Sequence, residues 1–206
     1  GFKIAMRDLE IRGAGNLLGA KQHGHMQAVG YDLYCKMLNE AVKNLKGIGT
    51  EEDFNTSVDL DVDAFIPPAY IVNEIQKLDI YKRIAGIENQ VESDDMKEEL
   101  LDRFGDIPVA VENLFRISMI RVAAHKLYVT EIKGKNGELR FTFKQDAKIH
   151  AERIPKLLEM HEKISFNYKM ASFLYRYKKC GMVEKDAQIL LELTETLLDD
   201  MKLLCR

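Results

Sequence analysis

Leu127-Tyr128-Val129-Thr130-Glu131-Ile132-Lys133-Gly134-Lys135-Asn136-Gly137-Glu138-Leu139-Arg140-Phe141-Thr142-Phe143-Lys144 decides the fold class. Residues 127–133 and 138–144 read as two strands joined near Lys135-Asn136-Gly137. Asn-Gly is a strong hairpin signal because both residues tolerate positive φ. Helical patterns surround the hairpin. Upstream, residues 73–87 predict a helix capped by Asn73. Ser93 or Asp94 caps a second, which runs through Phe104 and is ended by Gly105. Pro108 fits the first turn of a third, where its missing N–H costs nothing. Val111, Leu114, Phe115, Met119 and Val122 form the core stripe of that third helix. Downstream, residues 147–161 predict a helix. Residues 164–169 and 172–177 are ambiguous between short strands and a turn. Residues 184–204 predict a last helix with Ala187, Leu190, Leu191, Leu197, Leu198, Met201 and Leu204 on one face.

Further upstream, Val58, Leu60 and Val62 alternate with Asp59, Asp61 and Asp63, which is a strand with one buried and one acidic face. Pro67-Pro68 breaks it. Residues 27–46 read as a long helix, and Gly47 is a natural stop. The expected organisation is an N-terminal helical hairpin and loop element over residues 1–46, then a linker over 47–56. A compact α+β domain over 57–206 follows, built of helices and a small antiparallel sheet.

The chain has 206 residues, 46% hydrophobic and 31% charged, with a net charge of −3. That suits one or two soluble domains. No apolar run approaches membrane-spanning length and no signal peptide opens the chain. Cys35, Cys180 and Cys205 are widely spaced and match no zinc pattern, which suits reduced thiols in the cytoplasm. The net charge hides an asymmetry. Residues 1–50 carry seven Lys/Arg against four Asp/Glu, whereas residues 51–107 carry five against sixteen. A basic start joined to an acidic middle suits a DNA-facing element tied to a protein-facing domain.

Several groups invite a chemical reading. Asp8 to Gly24 holds glycines at 13, 15, 19 and 24, a density that marks backbone turning sharply or approaching something closely. Arg12 at its edge carries a planar, permanently charged fork suited to phosphate or carboxylate. On composition alone, the preferred reading is a surface loop whose Arg12 caps a helix end or pairs with Glu10. His23 and His25 form a His-x-His pair without the third and fourth ligands a metal needs. Asp59-x-Asp61-x-Asp63 imitates the opening of a calcium loop. Such a loop needs Gly at its sixth position and Glu at its twelfth, and Ala64 and Tyr70 stand there. No metal site is expected. Glu98, Glu99 and Asp102 form the most concentrated helical acid group, and solvated faces often look like this. Lys169, Arg176, Lys178 and Lys179, with Tyr175 and Tyr177 interleaved, imitate a nucleic-acid patch. Strand alternation explains them as well, and the structural reading is preferred.

The run from Asp8 to Gly24 resembles the translocation motif that follows the last helicase motif in transcription-repair coupling factors and RecG-type DNA translocases. Val29-Gly30-Tyr31-Asp32-Leu33-Tyr34 and Met37-Leu38-Asn39-Glu40-Ala41-Val42 resemble the coupling-factor family specifically. Phe65-Ile66-Pro67, Tyr81-Lys82-Arg83-Ile84-Ala85 and Leu100-Leu101-Asp102-Arg103-Phe104-Gly105 look like that family's C-terminal domain, and the resemblance runs through Pro108.

The resemblance implies a C-terminal part of a large motor that uses ATP to push stalled RNA polymerase along duplex DNA. Gly1-Phe2 would then begin partway through the second motor domain, and a chain without an initiator methionine is expected of such a piece. Arg12 and Gln22 would couple the ATP cycle to movement, with Gly13, Gly15, Gly19 and Gly24 letting the loop reshape. His23 stands where the family often has Ser or Thr. Glu98, Glu99 and Asp102 would dock on an N-terminal domain built like part of UvrB and so mask recruitment of UvrA. ATP and magnesium would belong to the parent motor. This chain has no Gly-x-x-x-x-Gly-Lys-Ser/Thr loop and no strand ending in Asp-Glu, so alone it is expected to hold no cofactor, to supply no catalytic residue and to hydrolyse no ATP. The rival expectation is a free-standing protein-interaction adaptor whose N-terminal loop binds a nucleotide phosphate.

Overall fold

The computed structural model describes residues 54–205. They form two compact units, residues 62–119 and residues 54–61 with 120–205. The chain thus lays down one strand of the second unit, builds the first, and returns. The expected element over 1–46 lies outside the described residues, as does most of the expected linker. Of that linker, Thr56 is buried in the second unit and donates its hydroxyl to the Val129 carbonyl at 2.7 Å.

The first unit is helical. Helix α1 spans Glu74–Ala85 and is capped by Asn73, whose side-chain oxygen accepts from the N–H groups of Ile75 and Gln76. Helix α2 spans Gln90–Phe104. Its cap is Asn89, which accepts from Glu92 N–H at 2.9 Å, and not Ser93 or Asp94. Ser93 is a buried residue inside the helix, so the polar residue that reads as a start is one turn too late. Gly105, at φ +84°, ends α2 as expected.

Helix α3 spans Val109–Lys126. Pro108 stands at its start and lends its carbonyl to Val111 and Glu112. Val111, Leu114 and Phe115 are buried, but Met119 and Val122 are only half-buried. Ile117, Ile120 and Ala124 take their place. A single 3.6-residue stripe fails here because α3 gives its first eleven residues to one unit and the rest to the other.

Three polar groups hold the first unit to its loops. The Ile66 N–H donates to the Tyr81 hydroxyl at 2.8 Å, Asn113 Nδ2 to the Asp63 carbonyl at 2.9 Å, and Ser118 Oγ to the Ile84 carbonyl at 2.8 Å. Each satisfies a backbone group that burial would otherwise leave costly.

The second unit carries a five-stranded sheet. Its strands are β1 (Ser57–Leu60), β2 (Val129–Lys135), β3 (Glu138–Phe143), β4 (Ile164–Asn167) and β5 (Ser172–Arg176), in spatial order β1-β2-β3-β5-β4. Both ambiguous segments are strands. The α+β expectation holds. The sheet is mixed, however, because β1 pairs parallel with β2 while the other pairings are antiparallel. Asn136 and Gly137 turn the hairpin at φ +53° and +78°, the positive pair that a two-residue turn demands.

Helix α4 is Ile154–Met160, preceded by a single 3-10 turn at Ala151–Arg153. The expected start at residue 147 is too early. Pro155 has no N–H for a helix already running through 151, so it is tolerated only in the first turn. Helix α5 spans Val183–Met201 and passes into a 3-10 turn, Lys202–Cys205. All seven residues expected on its apolar face are buried. One of them, Leu190, meets the sheet where β2 has Gly134. A Cβ there would lie 2.8 Å from Leu190 Cδ1 and from Leu60 Cδ2.

Candidate functional site

Helix α2 is amphipathic in an unusual way. It buries little, namely Ser93, Met96 and Leu100. Its opposite side is acidic and also presents apolar residues, with Val91 and Leu101 half or more exposed. Positions 91, 94, 98, 101 and 102 recur at helical spacing, so Val91, Asp94, Glu98, Leu101 and Asp102 share one outward face. All five are exposed. The mixture matters. Carboxylates alone are a solvated surface, whereas exposed aliphatic residues among them suit contact with another protein.

The three acids expected to act together have different surroundings. Glu99 is half-buried and already engaged. It takes the fork of Arg83 from α1, with Nη2 to Oε1 at 3.0 Å and Nη1 on Oε2, and Arg103 Nη1 adds a contact at 3.2 Å. The hydrogen bonds from Arg83 are the chief reason the Glu99 carboxyl sits below the ordinary carboxylate range. The same bonds hold Arg83 more firmly protonated. Glu98 and Asp102 are exposed and make no ion pair among the described residues. Glu99 therefore braces α2 on α1, whereas Glu98 and Asp102 face solvent.

Sequence reasoning missed Arg83 as the partner of Glu99. The Glu99–Arg103 pair is legible as an i, i+4 spacing. Arg83 is sixteen residues away, and only the packing of two helices brings it there. The exposed Val91 and Leu101 were also missed, although their spacing with Glu98 and Asp102 signals them.

Arg12, Gln22, Gly13, Gly15, Gly19, Gly24, His23, His25 and Cys35 lie outside the described residues. Asp61 and Asp63 are exposed and Asp59 half-buried, alternating with buried Val58, Leu60 and Val62, but the strand ends at Leu60, earlier than expected, so of the three acids Asp59 alone lies on it. No cluster of His, Cys, Asp or Glu able to hold a metal occurs among the described residues. Cys180 and Cys205 are free thiols. No helix among the described residues is long and apolar enough to cross a membrane.

The described residues thus define an α+β module with an acidic and apolar helix face. Comparison with known proteins places it. The family model described as the TRCF domain matches residues 60–154. A transcription-repair-coupling factor of Staphylococcus haemolyticus is 40% identical over 210 residues, covering 100% of this chain and 17% of that protein. The Bacillus subtilis transcription-repair-coupling factor is 46% identical over 148 residues, covering 71% of this chain and 13% of that protein. The crystal structure of a C-terminal domain of transcription-repair coupling factor superposes with a TM-score of 0.59 at 26% identity, covering 72% of this chain and 95% of that one. The chain belongs to the transcription-repair-coupling factor family. It spans about a sixth of the length of the curated relatives it matches.

Proposed function

We propose that this chain is the C-terminal part of an ATP-dependent DNA translocase of transcription-coupled repair. The whole protein works in the cytoplasm and drives stalled RNA polymerase forward from upstream duplex DNA. Residues 1–46 couple the ATP cycle to movement. Arg12 reports phosphate state or clamps a carboxylate, and Gln22 relays the change by exchanging hydrogen-bond partners. Gly13, Gly15, Gly19 and Gly24 allow the loop to reshape. The chain itself supplies no catalytic group, and ATP and magnesium bind in the motor domains of the parent. Residues 57–206 regulate. The outward face of α2, centred on Glu98 and Asp102, docks on a UvrB-like N-terminal domain of the same protein and covers the surface that recruits UvrA.

The observation that carries this reading is the 40% identity across the full 206 residues, glycine-rich run included. The unpaired acids on α2 support its regulatory half. Two measurements on the full-length protein test it. Arg12→Ala should keep ATP hydrolysis while abolishing displacement of stalled polymerase, because no catalytic group is lost. Removal of residues 57–206 should raise capture of UvrA. Wild-type displacement by Arg12→Ala refutes the coupling role, and unchanged UvrA capture refutes the masking role.

A further inference from the structure

The outward face of the sheet brings two cations side by side. Lys133 on β2 stands directly opposite Arg140 on β3. Side chains paired across an antiparallel ladder share one face and lie close together. Two cations in that relation repel and weaken the sheet. The row runs from Asp59 on β1 through Lys133 and Arg140 to Leu174 on β5 and Ser165 on β4, and Asp59 makes no ion pair with Lys133 among the described residues. Neither Lys133 nor Arg140 makes an ion pair among the described residues. The nearest acid on β3, Glu138, is turned to Arg176 at 3.7 Å.

Beside this pair lies an open groove of about 480 Å³. Arg140, Ser165, Ser172 and Leu174 line it from the strands, and Tyr168, Lys169 and Met170 line it from the turn between β4 and β5. That turn is fixed by Asn167, whose side-chain oxygen accepts from the N–H groups of Lys169 and Met170. Tyr168 is 74% exposed, although its ring leans edge-on against Phe166 at 4.7 Å between centroids. No Asp or Glu lines the groove, in a chain with more acids than bases.

We infer that this groove binds single-stranded nucleic acid. Lys133, Arg140 and Lys169 neutralise successive phosphates, and an anion between Lys133 and Arg140 relieves their repulsion. The exposed Ser165 hydroxyl donates to phosphate or sugar. The exposed face of Tyr168 stacks an unpaired base, a contact that a duplex does not offer. An acidic peptide would satisfy the cations but leave the ring and Met170 without a flat partner, so the strand is favoured. This inference does not rest on docking by α2, which involves the other unit.

The test uses the whole chain and a fluorescein-labelled oligothymidylate of about 20 nucleotides, long enough to cover one such site. Anisotropy is read at low salt, with a duplex of equal length and polyglutamate as competitors. The single strand should bind more tightly than the duplex, and polyglutamate should compete poorly. Tyr168→Ala should weaken binding about five-fold or more, the range of a lost base stack. Arg140→Gln and Lys169→Gln should each lower the slope of log affinity against log salt by about 0.7, the value for one phosphate of a single strand. Lys185→Gln on α5 should change neither. Thermal midpoints separate binding from folding. Lys133→Gln should weaken binding of the strand while leaving the midpoint little changed, since it removes the repulsion from Arg140 together with the attraction to Asp59. Absence of binding overturns the inference, as does binding indifferent to both Tyr168→Ala and Lys169→Gln. Competition by polyglutamate as effective as unlabelled strand assigns the groove to an acidic protein instead.

Discussion

Gly137 shows how much one residue can decide. Its φ of +78° lies in the left-handed region, and a Cβ there would stand 2.9 Å from the Tyr177 carbonyl oxygen. That carbonyl belongs to backbone and cannot swing aside. The Gly137 carbonyl in turn accepts from Tyr177 N–H at 2.9 Å, so hairpin and following segment are locked together. Gly137→Ala should therefore destabilise by about 1–2 kcal/mol, from backbone strain plus a close contact. Denaturant titration should show a lower midpoint at unchanged slope.

Glu99 supports a prediction in pH. Its carboxyl is held below the ordinary range, chiefly by hydrogen bonds from Arg83. A carboxylate depressed in the folded state adds stability that is fully present above its unfolded pKa. That stability is lost as pH falls through the folded value. The contribution is small because 40% of the Arg83 side chain and 36% of the Glu99 side chain are exposed, enough for solvent to screen the pair. Glu99→Gln should leave stability near neutrality little changed and flatten the acid limb of stability against pH. An acid limb identical to wild type would show that the Arg83 fork is idle in solution.

At the scale of elements, some features were legible because they are local. The Asn73 cap, the Gly105 stop, the Asn136-Gly137 turn and the seven-residue face of α5 are all written within one element's own spacing. The features not legible depend on remote contacts. Strand β1 pairs with β2 about seventy residues on, and nothing near Ser57 announces a parallel partner. The drift of the buried face along α3 and the Arg83–Glu99 fork have the same origin. Gly134 is a further case. In the sequence it looks like a weak point in a strand, yet in the structure it is where Leu190 of α5 and Leu60 of β1 close over the sheet. Gly134→Ala should overpack that junction and destabilise by about 1–3 kcal/mol. Shortening a neighbour, as in Gly134→Ala with Leu190→Val, should recover part of the loss. Strict additivity in a double-mutant cycle would show that the two side chains do not share the space.

At the scale of the whole molecule, the proposed regulation is electrostatic and should respond to charge and salt. The candidate acids were legible as a group, but their division of labour was not. Reversing Glu99 would break the Arg83 and Arg103 contacts and confuse loosened docking with loosened folding. Glu98→Lys with Asp102→Lys avoids this, because both side chains are exposed and free of ion pairs among the described residues. In the full-length protein this double variant should raise UvrA capture to a level between wild type and a truncation at residue 56. Each exposed pair contributes about 0–1 kcal/mol, yet reversal turns attraction into repulsion at both positions. A change of about 1.4 kcal/mol moves a docked-to-open ratio tenfold. Added salt should narrow the gap between wild type and variant, since exposed charges are screened over roughly 10 Å at 0.1 M. Leu101→Ala should open the docked state without that salt dependence, because it removes apolar area and no charge. If truncation raises UvrA capture while neither variant does, the C-terminal module restrains the protein through a face other than α2.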